Sequence, residues 1–318
     1  MAEKNLKKNT IVVISALRLN DVYQDVELLK KHFLVNETIE SGWKAIPRII
    51  KNVKQADVCF SWFASMYSFV MVLSAQMLGK KTIIQLGGVD TAADPDLNYG
   101  IWITPWKAPF IRYALRHADR VLAIHHRAIT DLRKNSGWST DSVLIVPTGY
   151  DPTYWKPAKQ KQHRVLTVAK CDIPQRIFIK GIDWLIQVAQ KLPNISFDLV
   201  GAERLLLQKA GFQIPGNLTI HPPVERENLL HYYQQAKVYF QPSRYEGGFP
   251  NTVCEAMLCG CIPVGSNVGG IPEAIKEYGF VVERGNVQGM AKAIQKALDS
   301  DDEVGLKGRE YIAQNFTL

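Results

Sequence analysis

Short apolar runs alternate with stretches of helical periodicity along the chain, and this alternation limits the folds open to it. The first run is Ile11 to Ser15, and the stretch from Val22 to Leu34 then carries apolar residues at helical spacing. A second series of the same kind begins after residue 162. Buried β-branched runs of this kind are typical of parallel strands covered by helices. The sequence therefore predicts an α/β protein with parallel sheets.

A polar segment, TGYDPTYWKPAKQKQ at 148–162, separates the two series. It contains two prolines and no periodicity, as linkers do. A chain of 318 residues is long enough for two domains. We predict two doubly wound, Rossmann-like domains over 1–155 and 156–318. They are expected to face a central cleft, because open α/β sheets bind ligands beyond the carboxyl ends of their strands.

The net charge and the cysteine content indicate which binding partners and which cellular compartment to expect. The chain has 38 Lys and Arg against 30 Asp and Glu, and a net charge of +8 suits nucleic acid, phospholipid head groups or nucleotide-sugars. Five cysteines without CxxC spacing argue against a disulfide framework or a zinc site. The basic start, MAEKNLKKNT, precedes only a short apolar segment and lacks a cleavage site, so we predict no signal peptide. A cytoplasmic protein is expected.

Residues 58–79 carry no charged side chain and are numerous enough to cross a bilayer. A different division fits them better: a strand at 58–63, a helix at 65–78, and a stop at Gly79 before the strand Thr82 to Leu86. Four serines and a glutamine also dilute the apolar run. We therefore predict a βαβ unit here rather than a transmembrane helix.

The most unusual stretch runs from Gln241 to Glu273, QPSRYEGGFPNTVCEAMLCGCIPVGSNVGGIPE. A turn rich in glycine and proline follows a predicted strand and leads into a helix, whose first N–H groups favour a phosphate or another anion. Glu246 stands beside two glycines at the strand end, which indicates close backbone approach to a ligand. Glu255 has two open interpretations: a capping box with Thr252, or a carboxylate that accepts hydrogen bonds from ribose hydroxyls.

Lys170, Arg176 and Lys180 lie on the connection between the first strand and the first helix of the second series. Solvated basic loops are common, and that interpretation stays open. Lys180 and Gly181, however, fall at a predicted helix start, where the macrodipole disfavours a cation unless an anion joins it. This position favours a clamp for a diphosphate.

In the first series, Gly87-Gly88-Val89-Asp90 follows a predicted strand, which places Asp90 at the cleft as a candidate catalytic residue. The nearby run Asp94-Pro95-Asp96 matches an Asp-x-Asp metal pattern of another transferase class. Pro95 more simply marks a turn, and we predict no metal site.

Aromatic and basic residues interleave from Trp102 to His117, with Lys107, Arg112 and Arg116 among the aromatic side chains. Such an amphipathic stretch can lie on an anionic membrane surface. Core packing explains the aromatic residues equally well, so both interpretations stay open. An anionic membrane surface is a predicted partner, which would place the protein on the inner face of the membrane.

The run PSRYEGGFPNTVCEAMLCGCIPVGSNVGGIPE resembles the signature of glycosyltransferase family four, whose members are retaining enzymes of the GT-B fold. ADRVLAIHHRAITDLRK, VLIVPTGYD and KGIDWLIQVAQKLPNISFDLVG resemble family segments in the family's order. The resemblance implies that Glu255 binds ribose, that Glu246 binds the donor sugar, and that Lys170 and Lys180 neutralise the diphosphate with Arg176. It also implies a donor-binding turn made of Gly247, Gly248, Phe249, Pro250 and Asn251.

Three positions depart from the family's pattern. Glu246 and Glu255 enclose eight residues, one more than the family usually places there. Lys170 stands where the family usually has an arginine, and lacks the bidentate fork of a guanidinium. The turn that ends at Asp90 stands where many members have a histidine.

The resemblance implies a metal-independent, retaining hexosyltransferase without a cofactor, acting in polysaccharide biosynthesis. It would move a sugar from a nucleoside-diphosphate-sugar donor to a glycan or lipid-linked acceptor, and would not bind nucleic acid. Two alternatives stay open. A nucleotide-sugar epimerase could use a similar cleft, and a non-catalytic scaffold could retain the fold with a decayed donor site.

Overall fold

A computed structural model describes residues 9–318, which form two compact units, one ending at Val146 and the other beginning at Pro147. The predicted boundary at residue 155 falls later, because 147–155 join the second unit. Tyr150 and Trp155 are buried there, and the Tyr150 amide donates to the Phe316 carbonyl at 2.7 Å. The basic stretch 1–8, part of the segment considered as a signal peptide, lies outside the described residues.

The first unit is a parallel sheet with helices. Within residues 9–146, six strands are ordered β2-β1-β3-β4-β5-β6. The strands are β1 (Thr10–Ser15), β2 (Leu34–Ile39), β3 (Val58–Trp62), β4 (Lys81–Gln85), β5 (Arg120–Ala123) and β6 (Val143–Ile145). The helices are α1 (Asn20–Lys30), α2 (Ala45–Gln55), α3 (Met66–Met77), α4 (Ala108–His117) and α5 (His126–Ser136).

Strand β2 differs from the prediction, which continued a helix to Leu34. Helix α1 ends at Lys30, and β2 pairs with β1 from Thr10–Leu34 to Ser15–Ile39. As an edge strand it is only partly buried, and its sequence LVNETI carries no clear apolar alternation. Its pairing, a long-range contact, decides its conformation.

The predicted βαβ unit at 58–86 is confirmed by β3, α3 and β4. A capping box at Ser65 begins α3: its hydroxyl accepts from the Ser68 amide while the Ser68 hydroxyl accepts from the Ser65 amide. Across residues 9–318, no helix is both long enough and apolar enough to span a bilayer.

The second unit contains a parallel sheet too. Among the described residues from 147 onward, six strands are ordered β12-β11-β10-β7-β8-β9. They are β7 (Gln162–Cys171), β8 (Ser196–Ala202), β9 (Leu218–His221), β10 (Ala236–Gln241), β11 (Ile262–Ser266) and β12 (Phe280–Val282). The helices are α6 (Pro174–Ile179), α7 (Ile182–Lys191), α8 (Arg204–Lys209), α9 (Arg226–Gln235), α10 (Asn251–Leu258), α11 (Ile271–Ile275), α12 (Val287–Asp299) and α13 (Asp302–Asn315).

The strand order of the second sheet locates its ligand-binding crevice. The chain proceeds outward from β7 to β8 and β9, then returns to place β10 on the other side of β7. Connections on the two sides of this reversal diverge, and ligands of open α/β sheets bind at such a point, beyond the carboxyl ends of the strands. Lys170 lies at the carboxyl end of β7, and Glu246 lies on the segment that follows β10.

Candidate functional site

Two segments meet at the switch point of the second sheet: residues 170–181, which run from the end of β7 through α6, and residues 242–250, which follow β10. Lys170 lies near the end of β7 itself and not on the predicted connection, because the strand continues to Cys171. The Arg244 amide donates to the Ile179 carbonyl at 2.8 Å and joins their backbones. Gly181 has φ +66°, and a Cβ there would lie 1.9 Å from the Pro242 carbonyl oxygen. Only glycine fits this left-handed position at so close an approach.

Glu246 and Lys180 form an ion pair at this junction. The Lys180 Nζ lies 2.9 Å from Oε2 and 3.1 Å from Oε1 of Glu246. Gln241 Nε2 at 3.1 Å and Ser243 Oγ at 3.2 Å also donate to Oε2. Oε2 thus has three donors, whereas Oε1, which shares the Lys180 ammonium, can accept a further one.

Lys180 occupies a helix end rather than the predicted helix start. The short helix α6 ends at Ile179, Lys180 is its C-cap, and Gly181 is the N-cap of α7. The sequence does not predict α6, whose end lies against the start of α7 at Lys180. A cation at the end of α6 is also favoured by that helix's carbonyl groups.

Lys170 and Arg176 share one carboxylate. Arg176 Nη1 lies 2.9 Å from Asp172, and Lys170 Nζ lies 3.8 Å from it. The Lys170 side chain is 68% exposed. Segment 170–181 therefore presents three cations next to a single aspartate, with Lys180 directed to Glu246.

The turn Gly247–Asn251 leads into α10, which begins at Asn251 with Pro250 as its N-cap. Phe249 is buried against Phe316, with ring centroids 4.8 Å apart. Beneath the turn lies Gly269, at φ +53°, where a Cβ would lie 1.7 Å from the Glu246 carbonyl oxygen. The turn thus rests directly on backbone, which fixes where its amides point.

The capping-box interpretation of Glu255 is wrong. Thr252 lies inside α10 and its hydroxyl donates to Gln241 Oε1 at 3.4 Å, while no side chain caps this helix. Glu255 is only 4% exposed. It accepts from Arg226 Nη2 at 2.6 Å and from the Tyr233 hydroxyl at 3.1 Å. Its predicted contact with ribose stays a prediction.

Arg226 and Tyr233 were not predicted as site residues. Arg226 begins α9, where a cation is disfavoured without an anionic partner, so the reasoning applied to Lys180 would have found it. Tyr233 offers no such signal in the sequence. Burial, reinforced by the charge of Glu255, raises the pKa of the Tyr233 phenol well above its ordinary value, so the hydroxyl stays protonated and donates.

A second unpredicted pair anchors the loop that carries Glu246. Arg244 binds Asp183 of α7 through two parallel hydrogen bonds of 2.5 and 2.6 Å. The guanidinium also lies over the Trp184 ring, 3.8 Å from its centroid. Bidentate geometry and stacking both require an arginine at this position.

Asp90 belongs to the first unit, in the turn that follows β4. Its carboxylate is 0% exposed and accepts from the amides of Ala64, Gly88 and Gly87 at 2.8, 2.8 and 3.1 Å. Burial raises its pKa, and these amide hydrogen bonds act in the opposite direction. The carboxylate therefore holds two turns together, and its catalytic role stays a prediction.

The Asp94–Asp96 run forms a turn, in which Asp94 Oδ1 accepts from the Leu97 amide at 3.0 Å. In the part of the chain that the structure describes, no three His, Cys, Asp or Glu side chains are grouped so as to hold a metal ion.

The match to a known family lies within the second unit. Residues 173–316 match the family model described as glycosyl transferases group 1. A subunit of the phosphatidylinositol N-acetylglucosaminyltransferase of Homo sapiens is 22% identical over 194 residues, which cover 58% of this chain and 39% of the human protein. The match thus spans less than half the length of that relative. N-acetyl-alpha-D-glucosaminyl L-malate synthase of Bacillus anthracis is 25% identical over 284 residues, covering 82% of this chain and 71% of that protein.

The fold is similar to that of Anabaena HepE in its complex with UDP-glucose. The TM-score is 0.76 at 14% identity, and the match covers 97% of this chain and 96% of the HepE chain. The prediction of two doubly wound α/β units of the GT-B class is confirmed by the two parallel sheets and by this likeness. Residues 173–316, which include both glutamates and the loop between them, are thus similar to the glycosyl transferases group 1 family.

Proposed function

We propose that this protein is a retaining hexosyltransferase that uses a nucleoside-diphosphate-sugar donor. The observation that carries the proposal is the Lys180–Glu246 ion pair at the switch point of the second sheet, beside the turn that enters α10. The match of residues 173–316 to the glycosyl transferases group 1 model and the UDP-glucose bound by HepE support the reaction and the donor class.

Lys170, Arg176 and Lys180 would bind the diphosphate. Lys170 is held only loosely by Asp172, so it can turn to a new anion at small cost. Departure of the nucleoside diphosphate leaves negative charge on the β-phosphate. Cations already placed around that charge stabilise the transition state more than the ground state.

Glu246 would orient the donor sugar. Three donors on Oε2 fix the carboxylate, and Oε1 remains able to accept from a sugar hydroxyl. The amides of Gly247, Gly248 and Phe249 would line the same pocket, with Pro250 and Asn251 at the start of α10.

Glu255 would accept from the ribose hydroxyls. Arg226 and Tyr233 each occupy one of its oxygens, and they hold the carboxylate in a single orientation.

In this mechanism the leaving phosphate takes the acceptor proton on the face from which it departs, which gives retention. The proposed mechanism uses no general base, metal ion or cofactor. The acceptor would be a glycan or a lipid-linked molecule bound by the first unit, in a cytoplasmic pathway of polysaccharide synthesis. Two relatives carry phosphatidylinositol and L-malate in their names, and an acceptor panel starts with these.

Thermal-shift measurements with UDP, GDP and ADP, followed by product analysis with the matching donors, test the proposal. We expect stabilisation by one nucleotide and transfer that persists in EDTA. Glu255→Gln should weaken nucleotide binding. Donor turnover without an acceptor would indicate the epimerase, and no stabilisation by any nucleotide would indicate the scaffold.

Lys180→Gln tests the role of the ion pair. We expect kcat to fall by about a hundredfold, the loss typical of one transition-state donor. Lys209→Gln, a change of the same charge at an exposed position in α8, should leave kcat unchanged. Equal kcat values for Lys180→Gln and Lys209→Gln would show that Lys180 has no role in the mechanism.

A further inference from the structure

Helices α2, α3 and α4 form one continuous layer on the first sheet. Their connections, β2 to β3, β3 to β4 and β4 to β5, all advance in the same direction across the sheet. Right-handed crossovers therefore place the three helices on the same side. Helix α3 packs against both α2 and α4, so it lies between them.

The charged side chains of helices α2, α3 and α4 are all positive. The three helices contain Arg48, Lys51, Lys54, Arg112 and Arg116, and their sequences have no Asp or Glu. Of these cations, Arg48 forms an ion pair, with Glu40. Among residues 9–318, the other four have no carboxylate within salt-bridge distance.

Large apolar side chains project from the same layer into solvent. Met77 is 81% exposed, Trp43 76% and Trp106 63%. Further exposed apolar residues accompany them: Ile46, Ile50, Leu73 and Phe110. We call the outward surface formed by these seven residues and the five cations the α2–α4 face.

These side chains are not part of the core. Helix α2 buries Ala45, Ile49 and Val53, whereas Ile46 and Ile50 lie beside this buried stripe and are exposed. Helix α4 likewise buries Ile111, Ala114 and Leu115 and leaves Phe110 outward. Core packing, one of the two interpretations of residues 102–117, thus accounts for one side of α4 but not for the other.

Aromatic contacts make the apolar part continuous between helices. The Phe69 ring of α3 lies 5.1 Å from that of Phe110 in α4. Two lysines lie over exposed indoles: Lys44 Nζ is 5.9 Å from the Trp43 ring centroid, and Lys107 Nζ is 5.4 Å from that of Trp106. Tryptophan and lysine side by side are typical of the boundary between head groups and acyl chains.

An open cavity of about 600 Å³ adjoins the face at the C-terminal end of α4. Arg112, Arg116 and His117 line it, together with Ser136 and Gly137 at the end of α5. Arg112 uses Nε to donate to the Ser136 carbonyl at 2.6 Å. Two guanidinium groups at the mouth of a cavity suit the phosphate of a lipid head group.

We propose that the α2–α4 face binds the surface of an anionic lipid bilayer. The cations would neutralise head-group charge while the indoles, Met77 and the isoleucines enter the interface. The apolar residues favour a bilayer over nucleic acid, whose backbone is bound by charge and whose bases are stacked or read by hydrogen bonds. Because vesicle binding needs neither donor nor acceptor, its outcome is independent of the proposed function.

Flotation with vesicles made of equal parts phosphatidylcholine and phosphatidylglycerol tests the proposal. We expect binding at low salt that weakens as salt rises, because surface charges are screened. Pure phosphatidylcholine vesicles should bind far less. If the unmodified protein fails to float with the anionic vesicles at low salt, the proposal is wrong.

A triple variant, Lys51→Gln, Lys54→Gln and Arg116→Gln, tests the charge. Three cations near an anionic surface should account for about a hundredfold in the partition coefficient. The matched control, Lys209→Gln, Lys292→Gln and Lys296→Gln, removes the same charge from exposed positions of the second unit and should keep most of the binding. Equal losses in the two variants would show that net charge alone attracts the protein, and would overturn the assignment to this face.

A second triple variant, Trp43→Ser, Met77→Ser and Trp106→Ser, tests the contribution of the apolar side chains to vesicle binding. We expect a partition coefficient at least tenfold lower, since interfacial binding scales with buried apolar area. The control replaces exposed Leu205, Val281 and Leu306 of the second unit by serine and should bind as before. Undiminished vesicle binding by the first variant would contradict the bilayer.

Discussion

In the second unit, side chains with low solvent exposure are held in place by ion pairs. Glu255 is buried, and Arg226 supplies the cation that its ionised carboxylate needs. Removing one partner of such a pair leaves an unpaired charge, which costs more than the pair itself contributes. The pair therefore fixes the carboxylate for ligand binding and also supports the fold.

We expect Arg226→Met to lower the free energy of unfolding by about 2 kcal/mol, below the full cost of a buried pair because Arg226 is partly exposed. Urea denaturation measures this. Arg204→Met, an exposed arginine at the start of α8, should change the free energy by less than about 0.5 kcal/mol. Adding Glu255→Gln to Arg226→Met should recover part of the loss, and no recovery would mean that the two residues act separately.

The sequence predicts residues of this site when a local rule is broken. Lys180 adjoins the start of α7, where a cation calls for an anion, and Glu246 follows a strand beside glycines. Arg226, which was not predicted, breaks the same rule at the start of α9. The Arg244–Asp183 pair and Tyr233 leave no such trace, because their partners come from distant positions in the chain. Asp90 shows the reverse: a strand-end carboxylate that the fold uses internally.

Individual elements depend on glycines at close backbone contacts. Gly269→Ala would bring a Cβ into the Glu246 carbonyl and displace the loop 242–250. We expect a loss of about 3 kcal/mol or more in the free energy of unfolding, together with weaker nucleotide binding. Gly137→Ala, at φ +65° but with open space around it, should lose about 1 kcal/mol. Similar losses in the two variants would show that the backbone angle alone matters.

Strands β4 and β5 are joined by Asp119, which accepts from Lys81 Nζ at 2.7 Å and from the Thr82 amide at 2.9 Å. Desolvation acts to raise the pKa of Asp119, but these hydrogen bonds outweigh it and lower the pKa below 3.8. A depressed pKa stabilises the fold above the unfolded value, and this stability is lost as pH falls through the folded value.

We therefore expect Asp119→Asn to lower the stability of the first unit by about 1 kcal/mol at neutral pH. The difference from the unmodified protein should shrink as pH falls below 3.8. Thermal melting at a series of pH values measures it. A difference that stays constant across that range would show that packing, not the charge, is responsible.

At the scale of the whole molecule, the alternation of strands and helices predicted both parallel sheets, because it depends on local sequence. The limits of the units did not follow from sequence, since Tyr150 and Trp155 are recruited by residues that come much later in the chain. Edge strand β2 was not predicted for the same reason, because its pairing with the distant strand β1 decides its conformation.

Arg309 links three parts of the second unit. Its guanidinium donates to the carbonyls of Trp155, Pro152 and Leu258, the last at the end of α10. Arg309→Met would leave these acceptors without their donor, and we expect a loss of about 3 kcal/mol. Hydrogen exchange should show lower protection in β7 and β10 but not in β1 and β3.

Lys307→Met, an exposed change on the same helix, should leave hydrogen exchange within error, because its ion pair with Glu303 is solvated. Lower protection in both sheets of Arg309→Met would mean that the two units unfold together.

The pairing of Tyr150 with Thr317 has a consequence for synthesis on the ribosome. The first unit ends at Val146, so all of its strands have been made before the second begins. In the second, the strand-like contact of Tyr150 must wait until Thr317 has left the exit tunnel. The loop that carries Phe249, whose ring needs Phe316, acquires its final packing at the same late moment. The two units therefore mature in sequence, and the one that carries Glu246 and Glu255 is completed last.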